Sequence, residues 1–457
     1  MSSARTSLRD RGFGTGTSTG FLPAIALHIN GIEALRVLRR LPVVDYVQPA
    51  IQRNPAPLTL DFGCGVTSWT DYRYTAPRGD VIPESYISQG VTQAWGRTQG
   101  DNVTVAIIDT GVDPAQDQFF SQFSPATGPP RVFTPLAADG STTWNDVCGH
   151  GTRVVGVIGA PHDGLGMVGI AWASDVVSIR SHSSVIVWDS QRIHDAVVLA
   201  AARGARVVQM AFGMPYNGDD LVADAIAFSY AQPTGPLFIA AIGNSGDPNA
   251  TFPAEMDEVV AVVAMSMDGQ RMPSSSWGPA AEVAAKVPVA APNAPTLFGT
   301  NALAQLSMTS GASSQIAGIA ALVFSIHPTW RNTDVRTRLH SAASHPFERN
   351  WQNGYGDVNA FKAVGGFTRL VVGGKSCVSQ YEPDPVLNAV TEGDGPFSYL
   401  WSTGEQTNSI LARKAPPGGS VSYSLAVTDL IDGTRRSELY TITTLPADDP
   451  RDRCEGF

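Results

Sequence analysis

Four short strings carry reactive side chains along this chain, in a fixed order. Val105 to Gly111 holds Asp109, Cys148 to Thr152 holds His150, Ala240 to Gly246 holds Asn244, and Met308 to Ala312 holds Ser310. Each sets its reactive residue beside glycines or other small residues. Together they supply a hydroxyl nucleophile, an imidazole base, a carboxylate to orient that base, and an amide to donate to a developing oxyanion. That is the part list for acyl transfer through a serine ester. The Asp-Thr-Gly at 109–111 could also serve aspartic-protease chemistry, but that needs a second copy, and the sequence has none.

The surroundings of each residue decide between chemistry and plain structure. Asp109 closes an apolar run, Val103 to Ile108, that reads as a buried parallel strand. A carboxylate at the carboxyl end of such a strand lies at the usual active-site edge of an α/β sheet. His150 stands between two glycines and leads into the apolar run Val154 to Ile158; the other seven of the eight histidines lack that setting. Ser310 precedes a long apolar helix predicted over Ala312 to Ile326, where free N–H groups and the helix dipole favour a developing anion. An N-cap serine would look the same, and the two roles are compatible. Asn244 follows a buried strand, within Gly-Asn-Ser-Gly, where a turn asparagine would also fit.

The elements that must position these residues alternate. Strands are expected at Val207–Phe212, Pro236–Ile242 and Val259–Ala264, with a short helix at Ile193–Ala202. The alternation predicts an α/β fold, a mainly parallel sheet with helices on both faces. The expected boundaries are a flexible tail at 1–21, a strand–helix–strand piece at 22–50, a linker at 51–84, the catalytic domain at 85–366 and a small all-β sandwich at 367–457. In the last region Phe397, Tyr399 and Trp401 share one face, as do Val421, Tyr423, Leu425 and Val427.

Composition narrows the class. Hydrophobic residues make up 43% and charged residues 16%, which permits a large core. The net charge of -10 and the lack of a basic run exclude a phosphate-tracking surface, so no nucleic-acid partner is expected. No apolar stretch is expected to span a membrane, and residues 1–10 lack the apolar segment of a signal peptide. The four cysteines, Cys64, Cys148, Cys377 and Cys454, allow three pairings. Pairing Cys377 with Cys454 would close the C-terminal region and leave Cys64 for Cys148. Four unpaired buried thiols are the alternative in a reducing compartment.

Taken together, the four strings resemble the subtilisin-like serine protease family, over roughly Ser85 to Val364. The resemblance implies a serine endopeptidase with Ser310 as nucleophile, His150 as base, Asp109 orienting it and Asn244 in the oxyanion hole. It places Ala211, Phe212 and Gly213 on the substrate-pairing strand. Thr251, before Phe252-Pro253 in the loop that carries a cis proline in this family, forms the floor of the specificity pocket, and Ser245 lies at its rim. Leu22 to Ala50 resembles the back half of the family's inhibitory propeptides, with the true start expected upstream of Met1. The string around Phe397 to Gly404 resembles bacterial Ig-like modules. Partners would be protein substrates and the chain's own propeptide, and the location secreted or cell-surface. The chemistry needs no cofactor. Ala160 to Val168 resembles the family's calcium loop, with Asp163 as the metal-ligand candidate. Departures are Met308 in place of Gly, Gly311 in place of Met, Arg153 in place of His, and Ser314-Gln315 in place of Pro-His. A binding or adhesion protein on a degenerate protease scaffold is the competing reading.

Overall fold

In the computed structural model, the residues described are 17–18, 25–26, 38, 64, 73–75, 79–116, 132–164, 166–214, 220–299 and 303–446. They form two units. One is built mainly on residues 98–360; the other takes 361–457 together with Thr92–Arg97. The second unit thus begins six residues before the sequence-based division after 366 (366 − 360).

The first unit is organised by seven parallel strands: β1 Thr104–Asp109, β2 Phe133–Ala137, β3 Asp175–Arg180, β4 Val207–Met210, β5 Leu237–Ala241, β6 Val259–Met265 and β7 Val283–Lys286. Their order is β7-β6-β5-β4-β1-β3-β2. The central strands are largely apolar because both faces are covered, and the pleat decides which face each side chain serves. Ala106 and Ile108 of β1 join the core that also holds Ile193, Val197 and Ala200 of helix α2 (Ser190–Ala202) and Val222 and Ile226 of α3 (Asp220–Tyr230). Val105 and Ile107 alternate with them and are equally buried. Helices α1 (His150–Gly159) and α4 (Met308–Ile326) pack on each other and on the sheet. A shorter helix, α5 (Asn332–Ser341), follows α4.

Order along the chain reverses at β1, with β3 and β2 on one side and β4 to β7 on the other. The crevice beyond the carboxyl ends of strands at such a reversal is the usual ligand site of an open α/β sheet. Asp109 ends β1, and Ala211–Gly213 follows β4, so both strings lie at that crevice.

Several expectations change. Helix α4 starts at Met308, not Ala312, so Ser310 stands inside its first turn; Ser307 occupies the N-cap position, without a side-chain cap bond. Its 19 residues are also long and apolar enough to cross a membrane, contrary to the sequence expectation, but 89% of its most apolar window is buried within the protein. It is a core helix. In the region expected to be a linker, Arg73–Thr75 and Val81–Pro83 pair antiparallel. Within the expected tail, Thr17–Ser18 pairs with Ile25–Ala26. Leu38, the one described residue of the helix expected near it, is helical and buried; apart from Ile25, Ala26 and Leu38, the propeptide-like segment lies outside the described residues.

The second unit is mainly β, with two sheets. One sheet joins Arg369–Gly373, Val386–Glu392 and Ser409–Leu411; the other joins Cys377–Ser379, Arg435–Leu445, Ser420–Asp429 and Phe397–Trp401. Trp401, Tyr423, Leu425 and Val427 point into the core, with Phe397, Tyr399 and Val421 packed against it, as the alternation predicts. Arg97 belongs here because its Nη1 donates to the buried Asp429 carboxylate at 2.7 Å. Cys64 and Cys148 form a disulfide, Cys377 is disulfide-bonded as well, and among the described residues no cysteine is free. The alternative of four unpaired thiols is therefore excluded.

Candidate active site

The base side of the site is built first from β1. The Asp109 carboxylate meets His150 Nδ1 at 2.9 Å and 3.0 Å through its two oxygens. A carboxylate only accepts, so Nδ1 carries the proton and Nε2 is left as the basic nitrogen. Burial raises the Asp109 carboxyl, but the charge and hydrogen bond of His150 outweigh it and hold it below its usual range. Both side chains are buried.

The loop carrying His150 is fixed by a residue that sequence reasoning missed. Asp146, itself buried, accepts five hydrogen bonds: from Thr110 Oγ1, Cys148 N–H, Gly149 N–H, Thr152 N–H and Thr152 Oγ1, at 2.5–2.9 Å. Thr110 Oγ1 in turn accepts from Gly151 N–H at 2.9 Å. Asp146 therefore ties the strand end that holds Asp109 to the helix start that holds His150. Gly149 adopts φ 86°, and a Cβ on Gly151 would overlap the Gly111 carbonyl, which explains the two glycines around the imidazole. The available signal for Asp146 was a carboxylate just ahead of a helix start.

The nucleophile side is built from α4. Ser310 Oγ lies 3.4 Å from the Ala211 carbonyl oxygen. Asn244 Oδ1 accepts from Thr309 N–H at 3.1 Å and Thr309 Oγ1 at 2.8 Å. Those two bonds assign the amide orientation and leave Nδ2 as the outward donor, next to the residue that precedes Ser310. Thr309 is the second residue missed; nothing in its sequence context marked it. Met308 has φ 56°, a left-handed backbone, which explains the glycine usual at that position.

The specificity residues are brought together as well. The Phe252–Pro253 peptide is cis. A Cβ on Gly213 would stand 2.5 Å from Thr251 Cγ2, and one on Gly243 would overlap Thr251 Oγ1. Thr251 thus lies against both walls, the one at Ala211-Phe212-Gly213 and the one leading into Asn244. The Ser245 hydroxyl pairs with that of Ser276 at 2.9 Å. Next to the Asp109 side chain, Ser181 N–H donates to the Asp109 carbonyl at 3.0 Å, and the His182 ring packs edge-on to Phe212 at 4.8 Å. Burial pushes His182 down to about 4, so it is neutral at neutral pH.

Asp163 gains no support as part of a metal centre. Among the described residues no group of three or more His, Cys, Asp or Glu is gathered to hold an ion. In its loop, the buried Asp80 carboxylate accepts from His162 Nδ1 at 2.5 Å and from Gly164 N–H at 3.0 Å. That donor set suits an imidazole better than calcium, which takes six or more oxygens.

The Subtilase family matches residues 100–358. A thermostable alkaline protease of Halalkalibacterium halodurans is 27% identical over 246 residues, 54% of this chain and 63% of that protein. The chain therefore spans less than two thirds of that relative. Subtilisin E of Bacillus subtilis is 30% identical over 281 residues, 60% of this chain and 68% of that protein. Among solved structures, MycP1 with its N-terminal propeptide removed superposes with a TM-score of 0.51 at 23% identity, covering 61% of this chain and 96% of that one, a likeness of fold.

Proposed function

From the premise that the chain belongs to the subtilase family of serine endopeptidases, we propose that it hydrolyses protein substrates through an acyl-enzyme on Ser310. Ser310 Oγ attacks the scissile carbonyl while its proton passes to His150 Nε2. Asp109 holds Nδ1–H and stabilises the imidazolium that forms. The carbonyl oxygen becomes an oxyanion, which accepts from Asn244 Nδ2 and from the free Ser310 N–H in the first turn of α4. Imidazolium then protonates the leaving amine, and water reverses the sequence to release the acid. The observation that carries this reading is the pairing of an Asp109-bound His150 with an Asn244 whose acceptor end is engaged by Thr309, leaving only the donor end for substrate.

The test is active-site labelling with a fluorophosphonate. The wild-type chain should label and digest casein. Ser310→Ala should lose labelling and about 10⁶ of kcat while keeping its thermal unfolding transition. Labelling undiminished in that variant would remove Ser310 from the mechanism. The same pair examines the propeptide reading: active protein should start between about residues 50 and 85, and the Ser310→Ala form should stay full length.

Specificity follows from Thr251. A threonine between the two walls narrows the pocket, and the rim residue Ser245 carries no charge, so small or medium apolar side chains should be preferred before the cut. Thr251→Gly should widen acceptance toward Phe and Tyr by roughly 10–200-fold relative to Ala, read from a peptide library. Dominant cleavage after Arg or Lys would show that Thr251 is not the floor. A secreted or surface location is supported by the Cys64–Cys148 disulfide, since such bonds persist outside reducing compartments.

A further inference from the structure

The strand that should receive substrate is already partly paired. Along an extended segment, residues two apart direct their N–H and C=O groups to the same edge. The Ala211 carbonyl faces Ser310 Oγ at 3.4 Å, so that edge is the one beside the nucleophile. Two residues on, Gly213 N–H donates to the Val185 carbonyl at 3.0 Å, and Gly213 C=O accepts from Val187 N–H at 2.9 Å. Ile186 and Gly213 form a parallel bridge. Met214 uses the opposite edge, its N–H donating to the Phe252 carbonyl at 2.9 Å, which fixes the alternation.

We propose that Val185–Val187 competes with the substrate backbone for the Gly213 edge and so sets how many residues upstream of the scissile bond the protease reads. A peptide whose residue before the cut pairs at Ala211 would bring its third upstream residue to Gly213. Both polar groups of Gly213 are taken there. Substrate recognition therefore ends at two residues before the cut unless the Val185–Val187 strap leaves. The strap is anchored on its N-terminal side. Shortly before it, the His182 ring packs on Phe212, and Cys64 Sγ of the disulfide lies 3.9 Å from the Ser183 carbonyl oxygen. Ile186 itself is 44% exposed, so its side chain adds little to holding the strap down. Departure of the strap is a pre-equilibrium that lowers the apparent affinity for long substrates by the fraction open.

This inference rests on the serine-protease reading and on Ala211–Gly213 as the substrate strand. The experiment compares kcat/KM for fluorogenic peptides that share the residue before the cut and carry two or four residues upstream. In the wild type the longer peptide should gain less than about threefold. Val187→Pro removes the donor to Gly213 and should raise kcat/KM for the four-residue peptide about tenfold, leaving the two-residue peptide unchanged. Val187 is buried, so a second variant, Val185→Gly with Ile186→Gly, loosens the strap without opening the core and should move the ratio the same way. A wild-type gain of tenfold or more from the third and fourth residues would overturn the proposal. So would an unchanged ratio in a variant that labels with fluorophosphonate at the normal rate. Loss of labelling in the wild type would instead strike the underlying protease reading.

Discussion

The two sides of the site are held by different physics. On the base side, a buried carboxylate gathers five donors and fixes the loop on which His150 stands. On the nucleophile side, Ser310 rides on an apolar core helix, and its hydroxyl has one long contact, to the Ala211 carbonyl at 3.4 Å. An imidazole turns about two torsions, so it needs a polar frame to keep one tautomer and one direction. A serine hydroxyl must stay unengaged to react. Its helix supplies position through packing and, in the proposed mechanism, leaves the Ser310 N–H for the oxyanion. Polar specification and apolar placement thus divide the work at one site.

The sharpest probe of the nucleophile side is Asn244→Ala. It should lower kcat by about 10²–10³ with little change in KM, the range seen when such a donor is removed from subtilisin. Steady-state kinetics on one peptide decide this, and an effect confined to KM would return Asn244 to a turn role. On the base side, Asp146→Ala leaves buried donors without an acceptor. It should cost about 3 kcal/mol of stability and lower kcat as well, because the loop loses its frame. Denaturant unfolding with parallel kinetics checks both, and full activity in a destabilised variant would mean that packing alone orients His150. The smallest change is expected at Met308. Glycine relieves a left-handed cost of about 1–2 kcal/mol and gives back about 0.5–1 in chain entropy. Met308→Gly should therefore raise the melting temperature by about 2 °C at constant kcat. A fall in melting temperature would show that the methionine side chain contributes more packing than its backbone costs.

Legibility in the sequence followed burial. Strands β5 and β6 are apolar throughout, β1 and β4 are apolar but for Thr104, Asp109 and Gln209, and their positions could be read within a residue or two. Strand β2 is half-buried along its whole length at the sheet edge, and β3 begins with Asp175 and ends with Arg180; neither shows the continuous apolar run of a central strand. Strand β7, Val-Ala-Ala-Lys, is too small in its side chains to stand out. In the mainly β unit the two strands with clean alternation were visible. Val386–Glu392 and Ser409–Leu411 were not, because Val386, Val390 and Leu411 place apolar side chains on the exposed face and erase the period. The reactive residues were legible because each sits in a local string. Asp146 and Thr309 were not, because their partners are set by the meeting of separate elements.

The Cys64–Cys148 bond spans 84 positions and ends two residues before His150. Its consequence is one of concentration. A peptide bond cut between those cysteines yields two polypeptides but one molecule. Whatever lies just upstream of such a cut cannot be diluted away from the cleft; it persists as an intramolecular ligand at an effective concentration on the order of millimolar. On the propeptide reading proposed above, peptide-bond cleavage alone makes a nicked enzyme that still carries its own competitor, and the electrons that open a disulfide become the reagent that sets it free.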